Sequence, residues 1–157
     1  MNSIRERLVQ EVIRRLEVGE FQTVEWASVI RTELPDDYDA SQGALLAVLE
    51  GRENLAVDTS GRQNSLSLFL SFAVPLAPGE VPQTVANNVA GEIANALHGN
   101  KSLEEGGDGT GGVKLSANFR ATAVEPDLIN TNSDCAAATV EFEVAYRTRT
   151  ANQFELA

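Results

Sequence analysis

Leu66, Leu68, Leu70, Phe72 and Val74 alternate with Ser65, Ser67, Phe69, Ser71 and Ala73. Five repeats of period two predict a strand with one apolar face, and Pro75 and Pro78 close it. Val140, Phe142, Val144 and Tyr146 alternate in the same way against Glu141, Glu143 and Arg147, with Arg149 beyond. A third run sets Val113, Leu115, Ala117, Phe119, Ala121 and Ala123 against Lys114, Ser116, Asn118, Arg120 and Thr122. Two other stretches have the period of a helix. Ile4, Leu8, Val9, Val12, Ile13 and Leu16 form one apolar stripe, with Arg7, Glu11 and Arg15 at i,i+4 intervals assigned to solvent. Ser3-Ile4-Arg5-Glu6 fits a capping box at its start and Gly19 a stop at its end. Val85, Val89, Ile93 and Leu97 give a second stripe, with Pro82 near the helix start, His98 in the last turn and Gly99 beyond. Ala86, Ala90 and Ala94 run beside it as a ridge that allows close approach to a sheet or helix.

The remaining segments are less regular. Val24, Trp26 and Ile30 suit a strand that leads into a flexible acidic loop over residues 34–42. Residues 43–50 are rich in Ala and Leu and fit helix or strand; we read a strand. Asp58-Thr59-Ser60-Gly61 is a turn signal. Residues 103–112 form a Gly-rich loop, expected to be mobile in the free protein. Residues 125–134 connect the last two strands. The expected fold is a single α+β domain over residues 1–157, with one largely antiparallel sheet, two main helices packed on one face and the other face polar and open.

Composition narrows the picture. The chain has 157 residues, 43% of them hydrophobic, enough to build a core. Its longest apolar stretch is Ala44–Leu49, far short of the roughly 20 residues of a membrane helix. The N-terminus turns into a charged amphipathic pattern without the apolar core of a signal peptide, so folding in the cytosol is expected. Cys135 is the only cysteine, which leaves no internal disulfide and no cysteine-based zinc site. The formal net charge is −11, and residues 32–61 hold seven acids against Arg52 alone. A polyanion is repelled there, so tight binding of nucleic acid is not expected.

His98 is the sole histidine and has no companion nucleophile motif. Asp36, Asp37 and Asp39 crowd together without the glycine and distal glutamate of an EF-hand loop. Gly107 and Gly112 have phosphate-loop spacing, but Val113-Lys114 and a predicted strand follow where Lys-Ser/Thr and a helix are required. Asp58-Thr59-Ser60-Gly61 is one insertion away from an aspartic protease motif, and a turn explains it without chemistry. The sequence predicts no enzyme, no metal and no cofactor.

The element order, with Leu49-Glu50-Gly51-Arg52-Glu53 leading into an alternating strand and a last strand ending Ala145-Tyr146-Arg147-Thr148, resembles the tail terminator proteins of long-tailed bacteriophages over nearly the whole chain. The resemblance implies a virion subunit, assembled in the host cytoplasm, that forms a six-membered ring at the tail and neck. Such a ring ends polymerisation of the tail tube protein and offers a docking surface to the head-completion or connector protein, and DNA passes through it without tight binding. Physical reasoning adds that Arg147 and Arg149 can meet Asp36, Asp37 and Asp39 of a neighbouring copy. Two alternatives stay open: another neck or tail-tube subunit, and a small-molecule-binding α+β protein whose pocket is lined by Trp26, Tyr38 or Tyr146.

Overall fold

The computed structural model describes residues 2–58, 61–98, 115, 118–127, 131, 132, 134–149 and 152–156. The Gly-rich loop at 103–112 and the tip of the Asp58–Gly61 turn lie outside them, as do the side chains of His98 and Arg149.

Helix α1 spans Ile4–Val18. Ser3 caps it by accepting from the Glu6 amide at 3.2 Å, while the Glu6 carboxylate serves Arg31 and Gln10 and does not return to the cap. Gly19 ends the helix in extended geometry, donating to the Arg15 carbonyl at 2.9 Å. A Cβ on Gly19 would lie 2.8 Å from that same oxygen, so close approach sets the need for glycine.

Strand β1 (Trp26–Ile30) pairs in parallel with β2 (Ala44–Asp58). A parallel pair needs a crossover of a dozen or so residues, and residues 31–43 supply it without an α-helix. Strand β2 then pairs antiparallel with β3 (Gly61–Pro75), and β3 with β5 (Cys135–Arg149). Strand β4 (Asn118–Pro126) flanks β5 on its other side, and β6 (Asn152–Leu156) folds back on the end of β5. The sheet has six strands, in the order β1-β2-β3-β5-β4 with β6 beside β5. The α+β class and the mostly antiparallel sheet agree with the sequence reading; the parallel β1 is an addition to it.

The pairing aligns Leu46 with Phe72 and Ala138, Val48 with Leu70 and Val140, and Leu68 with Phe142. These residues share one side of the sheet, because side chains alternate along each strand. All are buried, in one cluster with Ile4, Leu8, Val12 and Leu16 of α1 and with Val85, Val89, Ile93 and Leu97 of α2 (Pro82–His98). Glu92 on α2 accepts from the Gln22 and Thr23 amides and so ties the segment after α1 to α2. Helix α1 also contacts α2, β1 and β6, and its polar flank brings one correction. Glu11 and Arg15, assigned to solvent by the apolar stripe, are buried, and Glu11 accepts from Arg15 at 3.3 Å and from Arg14 at 2.6 Å.

Candidate functional site

The sheet's other side carries a polar ladder. Ser71 and Thr139 share a hydrogen bond of 2.7 Å, and Glu143 accepts from Ser65 at 3.2 Å and from Arg120 at 3.4 Å. Arg147 belongs to this side, in a row with Gln63 and Ala56.

The acidic loop lies at the other end of that side. Asp36 and Asp37 are exposed at the centre of a turn closed by the Tyr38 amide on the Pro35 carbonyl, 3.2 Å. Asp39 caps a single 3-10 turn, Ala40–Gln42, accepting from the Ser41 amide at 2.7 Å, while the Asp39 amide donates to Gln42 Oε1 at 3.1 Å. Bonds from the Ser41 hydroxyl and amide hold the Asp39 carboxyl below its usual range. Tyr38 donates to the Gly43 carbonyl at 2.8 Å, and burial, with Cys135 and Asp39 nearby, pushes its phenol up to about 12. Tyr38, Asp39, Ala40 and Ser41, with Leu76, Asn132, Asp134 and Cys135, line a cavity of about 290 Å³. Burial also raises the Cys135 thiol, so a reactive thiolate is not favoured there.

Asp36, Asp37 and Asp39 are therefore brought together at one end of the sheet. Arg147 is placed twelve residues along β5 from Cys135, roughly 40 Å at about 3.3 Å per residue. Arg147 and the acidic residues therefore do not meet within one chain.

A third cluster escaped the sequence reading. Glu50 pairs with Leu68 and Glu53 with Leu66, with a bulge between them at Gly51 and Arg52. The bulge turns both carboxylates toward α1, although their spacing is odd. Arg5 donates to Glu50 at 3.5 Å and to Glu53 at 3.2 Å; Arg31 reaches Glu50 at 3.5 Å and Glu6 at 2.7 Å. The Tyr146 hydroxyl donates to Glu53, and burial followed by Glu53 raises the phenol's pKa. A Cβ on Gly51 would fall 2.4 Å from the Phe69 ring. A glycine breaking the parity between two glutamates was the available signal.

Of the aromatic residues named for a pocket, Trp26 packs edge-on against Phe21 and Phe72, with centroids 5.6 and 6.3 Å away, and Tyr146 is buried. Tyr38 alone of the three lines the cavity just described. A second cavity, about 260 Å³, runs between α2 and β4 past Pro82, Ala86, Val124 and Ala138. Among the described residues no group of three or more His, Cys, Asp or Glu is arranged to hold a metal, and no helix is long and apolar enough to cross a membrane.

No protein-family model matches the chain, and no curated protein matches it. A chain from a solved structure described as the virion of a native gene transfer agent particle is similar at 14% identity, over 91% of this chain and 90% of that one, with a TM-score of 0.45. A likeness that loose carries no argument about function.

Proposed function

We propose that this chain is a structural virion subunit of the tail terminator kind, closing into a ring of six that ends a tail tube and receives the head connector. The reading rests on the likeness of element order noted in the sequence and is supported by one structural observation. A sheet with three 15-residue strands sends one side into the core shared with both helices and keeps a serine, threonine and glutamate ladder on the other. A ring whose channel is lined by that ladder repels DNA and lets it slide. With the strands along the ring axis, the acidic loop and the Arg147/Arg149 end become its two axial faces, one for the tube and one for the connector. Pairing of Arg147 and Arg149 with Asp36, Asp37 and Asp39 of another copy is then an end-to-end contact between free rings, replaced by tube and connector in the particle and worth about 0.2–1 kcal/mol for each exposed pair.

Native mass spectrometry of the purified chain tests this reading. Six copies per particle are expected. A single copy, with a small molecule retained in the groove between α2 and β4, would favour the binding-protein alternative.

A further inference from the structure

The end of the sheet that carries the acidic loop has charge of one sign only. Residues 34–44, 75–88 and 121–139 hold seven carboxylates, Asp36, Asp37, Asp39, Glu80, Glu125, Asp127 and Asp134, and no Lys, Arg or His. All but Asp127 are exposed. Elsewhere acids are matched: Glu6, Glu11, Glu50, Glu53 and Glu143 each reach an arginine. Among the described residues no cation pairs with Asp36, Asp37, Asp39, Glu80, Glu125 or Asp134. Backbone amides hold two of them instead, Asp39 through Ser41 and Glu80 through Ala77 at 3.0 Å. The fold thus leaves this negative charge uncompensated and gathers it at one end.

The cavity of about 260 Å³ lies at the same end, between Pro82 at the start of α2 and Pro126 at the end of β4. Ala86, Ala137 and Ala138 are too small to fill it, and Val124 borders it while 51% exposed. Val81, next to Pro82, is 58% exposed. Such a recess suits an aliphatic or aromatic side chain. Glu80 lies two residues before Pro82 and Asp127 directly follows Pro126, so each wall continues into a carboxylate.

Recess and unmatched carboxylates together specify an occupant. We infer that this end docks a basic segment of a partner protein, with one apolar side chain seated between α2 and β4 and flanking Lys or Arg side chains on the surrounding carboxylates. Charge complementarity selects that occupant. A second copy offering its own acidic end is repelled, as is nucleic acid, and an uncharged ligand leaves the carboxylates unmatched. Opposite charge steers the encounter and fixes its orientation, while the seated side chain anchors it. The inference deepens the terminator reading and rests on it for one point, that this end is an axial face and the basic segment belongs to the tube or connector protein.

Titration of the purified chain with a short fluorescent peptide, one leucine between two pairs of arginines, tests this by anisotropy. Two control peptides replace the leucine with serine or the arginines with glutamine. Each control is expected to bind about tenfold more weakly or worse, and added salt to weaken the first peptide. Val124→Asp removes apolar contact and adds negative charge. Seating in the recess predicts binding weaker by about fivefold or more, whereas attraction by charge alone predicts no loss. Glu80→Gln/Glu125→Gln keeps an acceptor for the Ala77 amide and is expected to flatten the salt dependence; circular dichroism checks both variants for folding. Equal affinity for the leucine and serine peptides, or undiminished binding by Val124→Asp, would overturn the recess as the seat. Equal affinity for the arginine and glutamine peptides, or an unchanged salt dependence in the double variant, would overturn the basic partner. A chain that forms rings and ignores the first peptide would overturn the docking and leave the ring reading standing. Binding by a chain that stays monomeric at every concentration would uphold the docking and overturn the ring.

Discussion

The two halves of the β2–β3 hairpin share one backbone geometry and differ in what covers them. Near its open end Leu46, Val48, Leu70 and Phe72 lie in the core shared with both helices and are almost fully buried; toward its turn Leu55 and Val57 stand in solvent beside Asn64, a buried polar residue. The bulge at Gly51 and Arg52 marks the border, where Glu50, Glu53, Arg5 and Arg31 form an ionic cluster. The contrast teaches that one half is held by burial against both helices, whereas the other is left with its apolar side chains in solvent.

The largest expected effect separates the halves directly. Phe72→Ala removes a fully buried ring and is expected to cost about 3–5 kcal/mol of stability. Leu55→Ala should stay within about 0.5 kcal/mol, as exposed substitutions do, and still weaken assembly. Urea unfolding gives the first pair of numbers and sedimentation the second; equal stability losses would erase the distinction. At the border, Gly51→Ala drives a methyl into Phe69 and is expected to cost about 1–3 kcal/mol through overpacking, again read from urea midpoints. Tyr146→Phe, which leaves the bulge in place and removes one bond to Glu53, should cost about 0.5–1.5 kcal/mol.

The ionic cluster also makes a pH prediction. The Arg31 guanidinium, by hydrogen bonding, holds the Glu6 carboxyl below its ordinary value. A carboxyl depressed in the folded state contributes stability above its unfolded pKa and loses it as the pH falls through the folded one. Stability should therefore decline on acidification, and Glu6→Gln should flatten that decline without altering stability near the neutral range by more than the pair itself supplied. An unchanged acid limb in the variant would remove Glu6 from the account. The smallest effect is expected at the ends of the sheet. Arg147→Glu/Arg149→Glu should weaken salt-sensitive stacking between particles and leave each ring intact by sedimentation, whereas loss of the ring itself would move these arginines to the lateral boundary.

Much of the fold was legible because period and punctuation agreed. The α1 and α2 stripes, their capping serine and proline, and the alternation from Leu66 to Val74 each point to one element. What escaped depended on tertiary neighbours. Glu11 and Arg15 sit where a stripe predicts solvent, and the burial of that flank by the rest of the fold cannot be read from α1 itself. The parallel pairing of β1 follows from where residues 31–43 lead, not from the composition of Trp26–Ile30. At the candidate site the crowding of Asp36, Asp37 and Asp39 was visible, but the role of Asp39 as a cap needs Ser41 and Gln42 placed around it. Counting by twos put Glu50 and Glu53 on opposite sides, and only the bulge reunites them.

Amide hydrogen exchange on dilute and assembled protein tests the central claim most directly. If the exposed half of the hairpin is the part that assembly covers, amides within residues 49–57 should gain protection on assembly, while those of Leu66–Val74 stay protected in both states. Assembly that leaves residues 49–57 exchanging as fast as in the dilute protein would contradict it.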